Sequence, residues 1–446
     1  MAELTIHGTY FSSKDPNHVQ AVQDALIMID SKGIIARILH RKDPEYAKQL
    51  QVARQQERLV ELGADQYLLP GFVDLHVHAP QWPQAGLALD LPLAKWLNHY
   101  TFPLEAKLSD PTYAQKVYQD FVHNLLANGT TAALMFGTIH FSANMILAKE
   151  SVKQGLRGFV GQVVMDNPST SPEYYRNSSA QAALSSTEKF IHAVRDLQTQ
   201  SGQTIEPVIT PRFVPSCTDE ALFGLGRLAH QYDLPVQSHL SESNWEHGYA
   251  IERFGQRDTE VMDHFGLLTK RAVMAHGTQL TKDDWRILRE RHSAIAHCPI
   301  SNIYFGNGVL PVKQLLALHN QLGLGSDISG GYTPSLFHNA RQAVKSSQQL
   351  TDGVDNQLPA EKRGVAGSRI TMANAFYLAT RGGAAALGLK TGVIQAGYAA
   401  DLQVVKMHRA LMPLSTADIF QRLMYQTEQT DIETVFVNGQ PVYQRN

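Results

Sequence analysis

From residue 69 onward, short runs of apolar residues alternate with longer stretches in which apolar positions recur every three or four residues. The first kind has the length of a buried strand, and the second has the period of a helix laying one face on a core. Eight strand-like runs stand out, at 71–78, 130–137, 157–166, 205–214, 235–242, 271–278, 293–301 and 322–327. Helical patterns lie between them, among them 111–127, 180–198, 219–232 and 282–291. Eight strand–helix units in succession predict an α/β fold, a (β/α)8 TIM-type barrel.

Both flanks break this rhythm. β-like runs at 4–6, 25–29 and 33–38 precede the barrel, and others at 401–405, 434–437 and 442–443 follow it, with Asn438-Gly439 as a hairpin-turn signal. The pattern predicts that residues 1–66 and 391–446 pair into one small β-sandwich domain built from both termini, with the barrel at 67–390 between them. Helices after Thr371 would lead from the barrel to the tail.

Composition narrows the class. The chain has 446 residues, 43% hydrophobic and 18% charged, with a formal charge of −2, which is ordinary for a globular protein with a large core. Lysine and arginine are scattered, so neither nucleic acid nor a membrane surface is an expected partner, and a small neutral substrate fits the balance. The N-terminal residues lack a basic-then-apolar leader and no run approaches bilayer length, so the expected setting is cytoplasmic. Cys217 and Cys298 stand far apart in no C-x-x-C pattern, which argues against a disulfide framework or a thiolate zinc site.

In this fold the chemistry gathers at the C-terminal strand ends. The first run ends His76-Val77-His78, the fifth Ser238-His239-Leu240-Ser241-Glu242, the sixth Ala275-His276-Gly277, and the eighth Gly325-Ser326-Asp327. Residues two apart on a strand share a face, so His76 and His78 can approach one ion. Taken singly, each histidine reads as a packed core residue and Asp327 as a helix N-cap. Three of the imidazoles gathered at these four strand ends, with the carboxylate, form a donor set suited to Zn²⁺ or Fe²⁺, with a position left for water. Glu242, just past the fifth strand, is the acid/base candidate, able to carry a proton between that water and a leaving group.

These residues carry a resemblance. Pro70-Gly71-Phe72-Val73-Asp74-Leu75-His76-Val77-His78, Ser238-His239, Ala275-His276-Gly277, Ser326-Asp327 and the tail Gly397-Tyr398-Ala399-Ala400-Asp401-Leu402 are together similar to the amidohydrolase superfamily over essentially the whole chain. Strand four, 207–214, has no lysine to bridge two metals, so the pattern resembles the mononuclear deaminase branch. Within it, Leu91–Pro103 with its Trp96-Leu97 and Tyr100-Thr101-Phe102-Pro103, together with Thr210-Pro211-Arg212-Phe213 and Ala296-His297-Cys298-Pro299, resembles the guanine deaminases.

The resemblance implies one Zn²⁺ per subunit, with Fe²⁺ as the variant, held by His76, His78, His239 and Asp327. It implies Glu242 as proton shuttle, with Asp327 and His276 as further catalytic groups, and Gln81, Arg212, Phe213, His239 and Glu242 as substrate contacts. Hydrolytic deamination of guanine, a cytoplasmic setting and a homodimer are what it leads one to expect. The chemistry of a flat, neutral purine agrees, since such a base calls for an amide that gives and accepts, a cationic fork and an aromatic wall. Two other readings stay open on the residues alone. One is a deaminase or dechlorinase of another nitrogen heterocycle, such as an adenosine-derived nucleoside or an s-triazine. The other is a metal-free scaffold on the same barrel.

Overall fold

The computed structural model describes residues 3–445. Eight parallel strands, β1 (Phe72–His78), β2 (Thr130–Phe136), β3 (Arg157–Val164), β4 (Ile205–Pro211), β5 (Val236–Leu240), β6 (Ala272–His276), β7 (Ala294–His297) and β8 (Gln321–Leu324), run in sequence order around one sheet. Each falls within one of the eight runs or within a residue of it. β8 returns to β1, where the Asp327 N–H donates to the His76 carbonyl at 2.8 Å and the His78 N–H to the Ile328 carbonyl at 2.7 Å. The fold expected from the alternating pattern is therefore the one observed, an α/β barrel.

The interior and the outer layer follow from burial. Val73, Leu134, Phe159, Val208, Val273 and Ala296 belong to one buried cluster drawn from six of the strands, the packed interior of such a barrel. Outside, Phe121, Leu125 and Leu126 of the helix Pro111–Ala127 cover Ala133 and Met135 of β2. Asp110 caps that helix by accepting the Thr112 N–H, with Pro111 in its first turn, where a missing N–H costs nothing. The run read as a strand over 293–301 is corrected in its second half. The strand ends at His297, and Pro299–Tyr304 is helical because proline at N1 has a φ preset for a helix start.

Strands from both ends of the chain form the second sheet. Its order is Gln440–Gln444, Ile432–Val437, Leu402–Lys406, Gln66–Pro70, Leu4–Asp15, His18–Ile29 and Ile35–Leu39, with Leu59–Glu61 also beside Leu4–Asp15. Gln66–Pro70 joins the halves, antiparallel to Leu402–Lys406 and parallel to Leu4–Asp15, and then runs directly into β1. Asn438 and Gly439, at φ 50° and 70°, make the tight turn expected of that pair. Sheet and barrel are locked by Arg157 at the start of β3, which donates to buried Asp401 through Nε at 2.6 Å and Nη2 at 3.0 Å. Both cysteines are buried and unpaired. Among the described residues, no helix is long and apolar enough to cross a membrane.

Candidate active site at the barrel mouth

The C-terminal end of β1 brings His76 and His78 together. A register shift between Asp74 and Val77 against β2 marks a bulge, a device that re-aims side chains beside a site. The ligand atoms of His76, His78 and His239 lie within 4.8 Å of one another, all buried. Asp327 Oδ1 is 3.1 Å from His76 Nε2 and 3.5 Å from His78 Nε2, and the two Nε2 atoms of His78 and His239 are 3.1 Å apart. Donor atoms around a tetrahedral zinc at about 2.0–2.1 Å stand about 3.3 Å from each other, so these separations fit one small ion.

Tautomers and charge agree with that fit. His239 Nδ1–H donates to the Arg212 carbonyl at 2.6 Å, which leaves its Nε2 lone pair directed into the cluster. Burial, followed by the neighbouring imidazoles, pushes His78 and His239 well below their usual value, and burial also lowers His76, so all three favour the neutral, ligating form. Burial alone would protonate Asp327, but His76, His276 and the Ser301 hydroxyl bring it down to about 2. His76 Nε2 is buried with no hydrogen-bond partner despite the nearby Asp327, an unsatisfied lone pair that a divalent cation would fill. The residues present therefore suit such an ion.

The acid/base candidates stand beside this cluster. His276 Nδ1–H donates to Asn302 Oδ1 at 2.9 Å, leaving Nε2 unpartnered at 3.9 Å from both Glu242 Oε1 and Asp327 Oδ2. His276 and Asp327 are non-glycine residues at positive φ, 73° and 51°, backbone conformations that gather at functional sites. Glu242 Oε1 accepts from Asn307 Nδ2 at 3.0 Å, its backbone N–H donates to Glu246 Oε2 at 2.6 Å, and burial raises its carboxyl above the usual range.

A cavity of about 480 Å³ opens onto these groups and is lined by His78, His239, His276, Glu242 and Asp327, and also by Gln81, Arg212 and Phe213. Trp96, Leu97, Asn98 and Phe102 from the segment singled out in the sequence line it as well. Apart from His76, which is buried and does not line it, every residue expected at the site thus faces one space. His297, at the end of β7 in the quoted Ala296–Pro299 motif, is buried but does not line it.

Several functional neighbours escaped the sequence. Asp74 is fully buried and accepts from the Ser326 hydroxyl at 2.5 Å, the Ser326 N–H at 2.9 Å and the His76 N–H at 3.2 Å, so it fixes the segment that carries Asp327. Glu105, also fully buried, accepts from both Arg212 and Gln81. A signal for it existed, because Glu105 stands three residues after Phe102, on the same helical face as a buried ring.

The amidohydrolase family model matches residues 67–442. A guanine deaminase of Dictyostelium discoideum is 34% identical over 98% of this chain and 97% of its own length, and one of Mus musculus is 34% identical over 98% and 96%. The crystal structure of a guanine deaminase from C. acetobutylicum with guanine in its active site superposes with a TM-score of 0.88 at 31% identity, covering 99% of this chain and 100% of that one.

Proposed function

The chain belongs to the amidohydrolase family, and on that premise we propose that it is a metal-dependent guanine deaminase, hydrolysing guanine at C2 to xanthine and ammonia. One observation carries the reading. The cavity that exposes His78, His239, Asp327 and Glu242 also exposes Gln81, Arg212 and Phe213, so an ion site and a purine-reading wall share one space. Relatives of similar length bear the same activity in their names.

His76, His78, His239 and Asp327 would hold one ion, which when bound supplies the Lewis acidity that makes water a nucleophile near neutral pH. The chain's own groups do the rest. Asp327, held as a carboxylate beside the imidazole cluster, orients the attacking water and takes up its proton. Glu242, buried and so readily protonated, delivers a proton to the ring nitrogen and, reloaded with a proton that the water gives up, to the departing amine. His276 Nε2, with its Nδ1–H engaged by Asn302, is left as an acceptor toward the water. Arg212 and Gln81 grip the polar edge of the base, and preorganised donors of this kind lower the barrier without reorganising as charge develops. Phe213 closes the cavity against Trp245, with ring centroids 5.8 Å apart.

Zinc as the ion, a homodimeric assembly and a cytoplasmic setting complete the proposal and rest on the likeness to the guanine deaminases. The test is an ultraviolet assay of guanine conversion to xanthine with the metal-loaded protein, with and without chelator, alongside adenosine and cytosine. Chelator-sensitive turnover of guanine alone supports the reading. Turnover of another heterocycle in its place, or of none with metal bound, overturns it.

A further inference from the structure

Glu105 has no surface exposure, and its carboxylate is fully used. Oε2 accepts from Arg212 Nη1 at 2.6 Å, while Oε1 accepts from Arg212 Nη2 at 3.1 Å and from Gln81 Nε2 at 2.8 Å. Gln81 Oε1 in turn accepts the Ser329 N–H at 3.2 Å. Arg212 is itself buried, with its guanidinium carbon 5.0 Å from the centre of the Phe102 ring. One carboxylate therefore holds both Gln81 and Arg212 where they line the cavity, and grips Arg212 in a bidentate geometry that admits little rotation.

The other groups around Glu105 are uncharged near neutral pH. Burial holds the Tyr118 and Tyr175 phenols far above neutrality, and burial keeps the His140 imidazole neutral. Facing the cavity from the barrel side are Glu242, Asp327 and the imidazoles of His78, His239 and His276. Among the described residues, Glu105 is thus the one carboxylate paired with the guanidinium of Arg212.

This matters because substrate and product differ in charge. Deamination turns an exocyclic amine into a second carbonyl, and the resulting dioxopurine loses a ring proton near neutrality while guanine remains neutral. A bare guanidinium would retain the anion, whereas a neutralised one grips carbonyl oxygens of neutral bases without favouring the anion. We propose that Glu105 is a specificity-determining positioning residue: it fixes the orientation of Gln81 and Arg212 and, by neutralising Arg212, makes the site release its anionic product. This inference rests on the guanine reading above.

The test is steady-state guanine turnover by the full-length, metal-loaded protein with xanthine as competitor, across the pH range in which xanthine ionises. For the wild type, the inhibition constant of xanthine is expected to weaken as pH rises while the KM for guanine stays level. In Glu105→Gln, the ratio of the xanthine inhibition constant to the guanine KM is expected to fall about tenfold or more, most at the higher pH. Glu105→Asp, which keeps the charge, should return the ratio toward the wild-type value. A merely structural role would worsen guanine and xanthine binding alike and leave the ratio unchanged at every pH, which would overturn the inference. So would tightening of xanthine binding to the wild type as it ionises, a measurement that decides even if Glu105→Gln does not fold. Absence of guanine turnover by the loaded wild type would instead sink the activity itself.

Discussion

Glu242→Gln separates proton transfer from structure more cleanly than any truncation at this site. The amide keeps an oxygen to accept the Asn307 Nδ2–H, now at 3.0 Å, and stays close to the carboxylate in size. The cavity keeps its shape and loses only a transferable proton. General acid–base groups contribute about 10²–10⁴-fold, so kcat should fall by that factor, about 2.7–5.4 kcal/mol of transition-state stabilisation. Metal content by elemental analysis should stay near one ion per chain, and KM should move little. Stability supplies an independent check with a definite sign. Burial raises the Glu242 carboxyl above its unfolded value, so the stability it gives at low pH is lost as pH rises through the folded value. A neutral amide escapes that loss, and the variant should melt at or above the wild type in mildly alkaline buffer. A variant that retains kcat within a few-fold with metal bound would refute the shuttle role, however well it folds.

Four further outcomes are expected. Asp258 is fully buried, accepts the Ser241 N–H at 2.7 Å and is raised to about 7, so it favours folding at low pH and progressively less toward neutrality; Asp258→Asn should flatten that decline in denaturation curves taken across the range. Arg157→Met strands Asp401, which is 1% exposed, and should cost about 3–5 kcal/mol in a chemical denaturation midpoint, the usual loss on removing one side of a buried ion pair. Stripping the ion with a chelator should lower the melting temperature as well as abolish turnover, by an amount approaching about 4 kcal/mol when free zinc stood near a thousand times its dissociation constant, and added zinc should restore both. Gly325→Ala places a Cβ 2.8 Å from both Cys298 Sγ and His76 Cβ, so this overpacking should cost about 1–3 kcal/mol and reduce metal occupancy by displacing His76.

What the sequence disclosed and what it hid have a common physical basis. Barrel strands were legible because burial on both faces writes them as unbroken apolar runs, and His76 and His78 were legible because the two-residue repeat of a strand is short and rigid. The first hairpin extends to Leu4–Asp15 and His18–Ile29, well beyond the runs read for it, since the start of its second strand is exposed and largely polar and the buried Tyr10-Phe11 pair in its first strand is too short an apolar run to mark a strand. Glu105 lay hidden because its meaning depends on Arg212, 107 residues away, and a glutamate in a short helix ordinarily faces water. Asn302 and Asn307 were hidden for the same reason, as each acts only through a residue on another strand end. Arg212 was legible as a candidate that lines the cavity, but not that two of its donors are already engaged.

The strand Gln66–Pro70, which joins the two halves of the terminal sheet, also imposes an order in time. Its neighbour Leu402–Lys406 leaves the ribosome about 330 residues later, a delay of roughly 15 to 70 seconds at ordinary synthesis rates. Throughout that interval the N-terminal hairpin can close on local contacts while one edge of Gln66–Pro70 stays open, immediately ahead of the strand that bears His76 and His78. An open apolar edge is a template for wrong pairing. Chains halted before residue 402 are therefore expected to pair wrongly along that edge more readily than the full chain, a consequence of the way this molecule joins its beginning to its end.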